Sequence, residues 1–363
     1  MMIANRIAGL LSAALLLAAC GGSAQPFASS GAAASGGAMT PVQLAAYKGA
    51  DRQQLLEGGA KKEGTLTWYT SLAGDVLDHL TGAFKQKYGI QVDVFRAAAD
   101  QLITKATQEA QAGKNVMDVL ESPPSTGAIM GEAKLLTPFY SPALANLPQD
   151  LQRNPKDGLA DGASIRMSLI GFGYNTTLVP DSAVSKTMED LMNPALTGKL
   201  SLTGTETGYR WVGAVLRKMG DDKGKQWLQQ LAAQQKPSVQ QVSGKAVYDL
   251  IAKGEIPASP TIFRDHVMEG ASQGAPTKWA PLDPVVANLG QVNMAAKAPH
   301  PYSALLFVDF LLTDGEQILA KDHYALPTEK LNFDVWVPEE GRTAAQDEQD
   351  LNSWSSLFKS VFR

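Results

Sequence analysis

The feature that most constrains the fold is a strand–helix–strand–helix–strand succession between residues 65 and 120. Alternating apolar and polar side chains predict strands at 65–70, 90–95 and 116–120. Between them, apolar residues at helical spacing predict helices from Asp75 to Tyr88 and from Asp100 to about Gly113. This order predicts a parallel sheet covered by helices, in which ligands bind beyond the carboxyl ends of the strands.

A second group of elements follows a long apolar strand at 166–175. The predicted elements are a strand at 199–203, a helix from Tyr209, helices at 221–234 and 245–253, a strand near Ile256, a strand region at 281–296 and a helix at 303–312. With 363 residues the chain is long enough for two domains. The chain is 44% hydrophobic with a net charge of −4 and no basic block, so we expect a globular protein without a nucleic-acid partner.

The N-terminus has the pattern of an export signal. Arg6 precedes an apolar run, Ile7–Leu17, and small residues lead to Cys20, the only cysteine. This closely resembles a bacterial lipoprotein signal, which predicts removal of residues 1–19 and lipidation of Cys20; the alternative is an ordinary secretory signal with a chance cysteine. The mature chain would then hold neither a disulfide nor a catalytic cysteine. An acyl chain would tether it to a membrane without spanning it, and no later apolar run approaches the ~20 residues of a spanning helix.

The chain between this signal and the first strand is predicted to be a tether and a lead-in helix. Residues 21–37 are almost all glycine, alanine and serine, a composition that cannot bury a core. Residues 39–59 are predicted to form one amphipathic helix, with the folded body beginning near Glu63.

The stretch Leu200–Arg217 is predicted to form an anion-binding seat. A short strand enters a small polar loop and then a helix, with Thr205 or Thr207 as the N-cap. The first-turn N–H groups and the positive end of the helix dipole would point at whatever occupies the loop. The alternative is that these threonines only cap the helix.

Nothing in the sequence resembles a catalytic constellation. There is no Gly-x-Ser-x-Gly, His-Glu-x-x-His or phosphate-binding Walker loop, and the four histidines are scattered, so each is interpreted as non-catalytic. What recurs is small hydroxyl residues at strand ends, with Arg210 and Arg264 near two of them. These hydroxyl residues are Thr70, Ser71, Ser122, Thr205, Thr207 and Thr261. Hydroxyls and backbone amides suit recognition of an anion better than catalysis, although each could simply be a cap or turn residue and each arginine simply exposed.

From about Glu63 to Pro327 the sequence resembles the extracellular solute-binding lipoproteins of bacterial ABC importers, closest to the branch of ferric-iron-binding proteins and their organic-ligand relatives. The matching segments, in order, are Gly64–Ser71, Phe84–Ile90, Met117–Val119, Leu136–Phe139, Met188–Lys199 and Ala304–Leu312. The resemblance implies an α/β, type II periplasmic-binding-protein fold. In it, two lobes, each a mostly parallel sheet covered by helices, are joined by two crossing strands and close on a solute.

The resemblance also implies domain boundaries. Lobe 1 is expected to comprise 46–166 and 295–328, and lobe 2 to comprise 176–282, with 329–363 packed on it. The hinge crossings are expected at 167–175 and 283–294. Residues 1–19 are the signal, and 20–45 hold the lipidated cysteine and tether.

Iron-binding members of this family use a histidine after the first strand and an adjacent tyrosine pair in the second lobe. Here the first-strand loop contains Ser71 and Leu72 but no histidine, and the tyrosine-pair position aligns with Arg264 and Asp265. An arginine would repel a ferric ion, which requires anionic oxygen ligands. The loop around Thr205–Tyr209 keeps the character of the relatives' anion-binding loop, so the resemblance implies an anion seat kept and a metal site lost.

We therefore predict a non-enzymatic, monomeric receptor that captures a small anionic organic solute (phosphorylated, phosphonate or carboxylate) and delivers it to an inner-membrane ABC permease. It would need no cofactor or metal, and would lie in the periplasm or at the outer face of the membrane. The predicted ligand-binding residues are Ser71, Leu72, Ser122, Thr205, Thr207, Gly208, Tyr209, Arg264 and Asp265. The alternatives are a ferric-iron receptor, with Glu206 and Tyr209 as ligands, and an exported enzyme on the same fold, although the thiamine-cleaving relatives use a cysteine that the mature chain lacks.

Overall fold

A computed structural model describes residues 39–72, 74–340 and 342–362. The predicted signal, Cys20 and the tether lie outside the described residues. The α-helices in these ranges are α1 (Pro41–Ala45), α2 (Arg52–Glu63), α3 (Val76–Tyr88), α4 (Ala99–Gln111), α5 (Pro124–Glu132), α6 (Glu206–Met219), α7 (Asp221–Gln235), α8 (Gly244–Ala252), α9 (Arg264–Ser272), α10 (Pro301–Leu311), α11 (Asp314–Lys321) and α12 (Ala344–Val361). In this part of the chain, no helix is long and apolar enough to cross a membrane.

The strands form one large sheet and one small one. They are β1 (Thr65–Thr70), β2 (Gln91–Arg96), β3 (Val119–Ser122), β4 (Leu136–Thr137), β5 (Gln152–Arg153), β6 (Gly162–Asn175), β7 (Ser201–Thr203), β8 (Ser238–Gln240), β9 (Ala258–Phe263), β10 (Thr277–Ala280), β11 (Val285–Ala295) and β12 (Val335–Trp336). The large sheet has the order β10-β6-β11-β3-β1-β2, with β4 and β12 beside β11, and β5 and β9 beside β6. The small sheet pairs β7 with β8.

The parallel pairings place the carboxyl ends of β1, β2 and β3 at one edge of the sheet. β1 pairs in parallel with both β2 and β3, and β7 pairs in parallel with β8. The long strands β6 and β11 pair antiparallel with each other, and β11 joins the first group of strands through an antiparallel pairing with β3. These two strands therefore connect the first group of elements to the second.

Two large apolar cores lie on either side of this pair of long strands. The first contains Trp68, Phe84 and Phe307, with α10 as its most deeply buried helix. The second contains Phe172 and Trp211 and is built around α6, α7 and β7. A smaller apolar cluster sits on β6 and β11 themselves. The mixed α/β architecture agrees with the predicted fold class.

Several predicted boundaries were wrong by a few residues, and one predicted helix is two. Residues 39–59 do not form one helix: a capping box at Thr40 starts α1, which ends after one turn, and α2 begins only at Arg52. The folded body begins before Glu63, because Leu44 and Leu56 are fully buried in the first core. The third strand begins at Val119 and the strand predicted near Ile256 begins at Ala258.

The C-terminal segment packs on the second core. The ring of Phe358 meets the ring of Tyr209 edge-on, with centroids 5.4 Å apart, and Phe358 is 1% exposed. At Gly213 a Cβ atom would lie 2.7 Å from the ring of Trp354, so only glycine lets α12 approach α6 this closely. Tyr209 and Gly213 thus belong to the face of α6 that α12 covers.

Candidate functional site

A cavity of about 390 Å³ lies where the carboxyl ends of β1 and β2 face the first turns of α6 and α8. One wall carries Ser71, Leu72 and Arg96 from these strand ends, with Ala98 and Ala99 at the start of α4. The opposite wall comes from residues associated with the second core: Thr205, Glu206, Thr207, Arg210, Gln241, Val242, Ser243, Gly244, Lys245, Phe263, Asp265 and His266. Arg166 and Ser168 on β6 and Asn288 on β11 form the floor between them, beside Tyr324.

The N-terminus of α6 is open toward this cavity. Thr205 occupies the predicted N-cap position, but its side chain forms no capping hydrogen bond, and within the described residues neither the Thr205 nor the Thr207 hydroxyl has a hydrogen-bond partner. The first-turn N–H groups of a helix have no intrahelical acceptors. In the described part of the chain, the N–H groups of Glu206 and Thr207 therefore remain as unused donors at the positive end of the α6 dipole, whereas the Gly208 N–H donates to Thr205.

The N-terminus of α8 faces the same cavity. Ser243, Gly244 and Lys245 line it, and the Ser243 hydroxyl caps the helix by accepting a hydrogen bond from the Ala246 N–H at 3.3 Å. The Lys245 ammonium lies 2.7 Å from the Asp249 carboxylate, one turn along the helix. Two helix N-termini consequently add positive potential on one side of the cavity.

Four cationic side chains line the cavity, Arg96, Arg166, Arg210 and Lys245, and they differ in whether an acidic side chain pairs with them. Arg166 is paired with Glu121, and Arg210 contacts both Glu206 and Glu339. Arg96 is different: its Nε donates a hydrogen bond to the Leu72 carbonyl oxygen at 3.2 Å, and in the described part of the chain it forms no ion pair. Arg96 is also exposed, so its guanidinium is the cation most available to a ligand.

Glu121 and Arg166 form a buried ion pair beneath the cavity. Arg166 Nη2 lies 2.7 Å from Glu121 Oε1, and their side chains are 5% and 0% exposed. The other Glu121 oxygen accepts hydrogen bonds from the Thr70 hydroxyl at 2.7 Å and from the N–H groups of Ser71 and Leu72 at 3.1 and 3.2 Å. The loop after β1 is therefore held by a carboxylate at the end of β3.

Asp265 is a second buried carboxylate, on the opposite wall. It is 4% exposed, and its Oδ1 atom has no hydrogen-bond partner. Its Oδ2 atom lies 3.6 Å from Nε2 of His266, a longer contact than a hydrogen bond. Burial lowers the pKa of His266, so this imidazole is neutral at pH 7 and brings no positive charge to Asp265.

Five of the nine predicted ligand-binding residues lie together at this cavity. They are Ser71, Leu72, Thr205, Thr207 and Asp265. Some of the hydroxyl residues at strand ends therefore meet at one cavity. Thr261 does not line it, because its hydroxyl is hydrogen-bonded to Thr203 inside the second core.

The other four predicted residues do not line the cavity. Ser122 is fully buried, and its hydroxyl bonds to the carbonyl of the next residue. The Gly208 N–H, expected to bind the ligand, donates to the Thr205 carbonyl at 2.9 Å; a Cβ there would lie 1.9 Å from the Thr203 carbonyl oxygen. The Tyr209 hydroxyl donates to the Gly204 carbonyl at 2.8 Å. The Arg264 guanidinium lies 3.5 Å from the Glu329 carboxylate.

Arg96, Arg166 and Lys245 line the cavity but were not among the predicted site residues. Arg96 stands at the end of a predicted strand in a βαβ succession, a position where ligands commonly bind. Arg166 is a charged residue in an otherwise apolar strand, which indicates a buried partner. The sequence therefore contains a signal for Arg96 and one for Arg166, but it does not identify the partner of Arg166.

The alternative iron ligands form other contacts. Glu206 pairs with Arg210 at 2.7 Å, and Tyr209 packs on α12. Among the described residues, no three histidine, cysteine, aspartate or glutamate side chains lie together in a group that could hold a metal ion.

The sequence matches the family model described as bacterial extracellular solute-binding protein over residues 80–330. No sequence among the curated proteins is similar enough to match. The family match covers more than half of the chain, and the family consists of binding proteins.

Solved structures of periplasmic binding proteins share the fold. The periplasmic binding protein P5PA is 22% identical, with 83% of this chain and 100% of that chain covered and a TM-score of 0.65. AfuA from Actinobacillus pleuropneumoniae, bound to fructose-6-phosphate, is 19% identical, with 82% and 99% covered and a TM-score of 0.65. Iron-bound HitA from Pseudomonas aeruginosa is 19% identical, with 80% and 99% covered and a TM-score of 0.64.

Proposed function

The chain belongs to the bacterial extracellular solute-binding proteins, the receptors that deliver solutes to ABC transporters, and from that premise we propose that it captures a small anionic organic solute between two lobes. The solute would be a phosphorylated compound, a phosphonate or a carboxylate. We propose lobe 1 as 46–166 with 295–328 and lobe 2 as 176–282, joined at 167–175 and 283–294. The two apolar cores on either side of β6 and β11 support this division.

The observation that carries the ligand class is the set of unused donors facing one cavity. At the N-cap of α6, the Thr205 side chain forms no capping hydrogen bond. On the opposite wall, the exposed guanidinium of Arg96 has no acidic partner in the described chain. Closure around an anion would remove water from these donors and strengthen their hydrogen bonds to it. A ferric ion would gain nothing from either group.

Export and anchoring are part of the same proposal. The family places the mature protein outside the cytoplasm. We propose that residues 1–19 are removed, that lipidated Cys20 attaches the protein to the membrane, and that a permease in the inner membrane receives the solute. Mass spectrometry of the mature N-terminus would reveal a diacylglyceryl-cysteine; an unmodified Cys20, or a chain that still carries residues 1–19, would contradict the anchor.

Calorimetry with wild type, Arg96→Ala and Arg264→Ala tests the ligand class, using panels of organic phosphates, phosphonates and carboxylates, with ferric citrate as the iron arm. We expect Arg96→Ala to lose about 1.5–3 kcal/mol of affinity for the preferred anion, since a charge-assisted hydrogen bond is removed. Arg264→Ala is the matched control, because Arg264 pairs with Glu329 away from the cavity lining.

Two outcomes would contradict the proposal. One is tight binding of ferric ion together with indifference to every anion. The other is unchanged affinity in Arg96→Ala. Recovery of the ligand unchanged after incubation separates a receptor from an enzyme on the same fold.

A further inference from the structure

A second, smaller cavity adjoins the first at Asp265. Its volume is about 210 Å³, and it shares Asp265, His266 and Tyr324 with the larger one. Its remaining wall comes from α3, α9 and the turn after α11: Asp75, Val76, His79, Glu269, Ser272, Gln273, Lys321, Asp322 and His323. Asp265 therefore borders both cavities.

The two cavities differ in the sign of their charge. Helix N-termini, Arg96 and Lys245 surround the first. The second is lined by four carboxylates, Asp75, Asp265, Glu269 and Asp322, against a single lysine, Lys321. The His79 imidazole lies 2.9 Å from Asp322, and the hydrogen bond to Asp322 together with the charges of Asp75 and Asp78 raises the pKa of His79. Burial raises the pKa of Glu269; the charge of Lys245 lowers it, and the nearby carboxylates Asp75, Asp265 and Asp322 raise it further.

Asp265 is the group in this acidic cavity that has most to gain from a cation. It is 4% exposed, and its Oδ1 has no partner, which is costly for an ionised carboxylate. The Arg166 guanidinium attracts this carboxylate from nearby, but in the described chain no arginine or lysine forms an ion pair with it. Arg166 is committed to Glu121 at 2.7 Å, and Arg264 to Glu329 at 3.5 Å.

We propose that the solute is zwitterionic, with its anionic end at the first turn of α6 and Arg96 and a protonated amine against Asp265. The inference rests on the proposed function and deepens it, because it adds a required cationic group to the anionic one. The amine would donate a charge-assisted hydrogen bond to the unpartnered oxygen and would compensate the carboxylate excess of the second cavity. A neutral hydroxyl could donate the bond but would leave the charge uncompensated.

Two matched series of ligands test this proposal by calorimetry. The phosphate series is O-phosphoethanolamine, 2-hydroxyethyl phosphate and ethyl phosphate. The carboxylate series is β-alanine, 3-hydroxypropionate and propionate. Within each series only one terminal group changes, from ammonium to hydroxyl to hydrogen. We expect wild type to bind the ammonium member of the accepted series at least about 10-fold more tightly than the other two.

Asp265→Asn removes the charge at nearly constant shape. We expect this variant to lose most of the preference for the ammonium member while still binding the ethyl or propionate member as wild type does. Asp314→Asn is the control, since it removes one negative charge at an exposed pair with Lys87 and should retain the preference. Thermal unfolding verifies that both variants are folded.

The outcomes separate this inference from the proposed function. Equal affinity for the three members of an accepted series, or a full ammonium preference in folded Asp265→Asn, overturns the zwitterion proposal and leaves the anion-binding function standing. Failure of wild type to bind any member of either series overturns the zwitterion proposal; indifference to the whole panel of phosphates, phosphonates and carboxylates, together with binding of ferric citrate, overturns the proposed function as well.

Discussion

The Glu121–Arg166 pair links the ligand cavity to the stability of the fold. Its carboxylate accepts hydrogen bonds from the loop after β1, while its guanidinium stands on β6, one of the two strands that connect the cores. Arg166 also donates to the Ser168 hydroxyl at 3.0 Å and lies over the Tyr324 ring, 5.5 Å from its centroid. Both ends of the pair are thus extensively bonded, which is the condition under which a buried pair is tolerated.

Removal of one partner should be more harmful than removal of both. Glu121→Ala leaves a buried guanidinium without its counterion, and we expect a loss of about 3–5 kcal/mol in the free energy of unfolding. The double variant Glu121→Leu/Arg166→Met removes the uncompensated charge and should recover part of that loss. Urea unfolding of wild type, Glu121→Ala, Glu121→Leu, Arg166→Met and the double variant measures these losses, and the last three with wild type form the cycle that gives the coupling.

Additive losses in that cycle would contradict the pairing. The control is Lys87→Ala/Asp314→Asn, which breaks an exposed pair whose side chains are 48% and 49% exposed. Because water screens such a pair, its removal should cost no more than about 1 kcal/mol.

At the scale of single elements, the sequence predicts where most helices and strands lie but not which faces they cover. Apolar periodicity was sufficient for β1, α3, α7 and α10, because each buries one stripe or face against a core. It failed at residues 39–59, where a capping box and a turn interrupt a pattern that continues in sequence. It also gave no indication that α12 would cover Tyr209 and Gly213.

The candidate site shows the same division. Hydroxyls at strand ends predict a site at the carboxyl ends of the parallel strands, and the structure has a cavity there. The partner of Arg166 lies 45 residues away in sequence, and no local pattern identifies it. Gly208 was read as a donor to the ligand, but its conformational role, close approach to the Thr203 carbonyl, depends on a tertiary contact.

The helix α12 should make the stability of the protein depend on pH through Asp347. Burial, followed by the charge of Glu339, raises the pKa of this carboxyl from its ordinary value of 3.8 to about 7. Between these pH values the folded state holds a proton that the unfolded state has released, so stability falls as pH rises through about 7. In Asp347→Asn this contribution is absent. The stability of the variant relative to wild type should therefore increase as pH rises, and this difference should level off above about pH 8.

Thermal unfolding of both proteins between pH 4 and pH 9 measures this difference. Glu348→Gln is the matched control on the same helix, since Glu348 is exposed and its replacement should shift the unfolding temperature little at any pH. A difference between Asp347→Asn and wild type that stays constant across the range would show that Asp347 titrates like an exposed aspartate.

At the scale of the whole molecule, the two cores are joined by few elements. β6 passes from the first core, which includes Ala163 and Ile165, to the second, which begins at Ile170. β11 returns from Val286 in the second core to Val292 in the first. We propose that these two strands act as the hinge between the proposed lobes, since rotation within either close-packed core would disrupt its packing.

Ligand binding should therefore make the protein more compact. The donors proposed to bind the anion line the same cavity, Arg96 from the first group of elements and the first turn of α6 from the second, so we expect a solute bound to both to hold the two proposed lobes together. Small-angle scattering should show a smaller radius of gyration with saturating ligand than without. A shift from mostly open to mostly closed requires the solute to bind the closed form about 10⁴-fold more tightly than the open form.

Arg96→Ala, measured at a ligand concentration that saturates wild type but not the variant, should keep a radius of gyration nearer the ligand-free value. A bound wild-type protein no more compact than the free one would indicate a rigid pocket, and the two-walled contact would then have to form without closure.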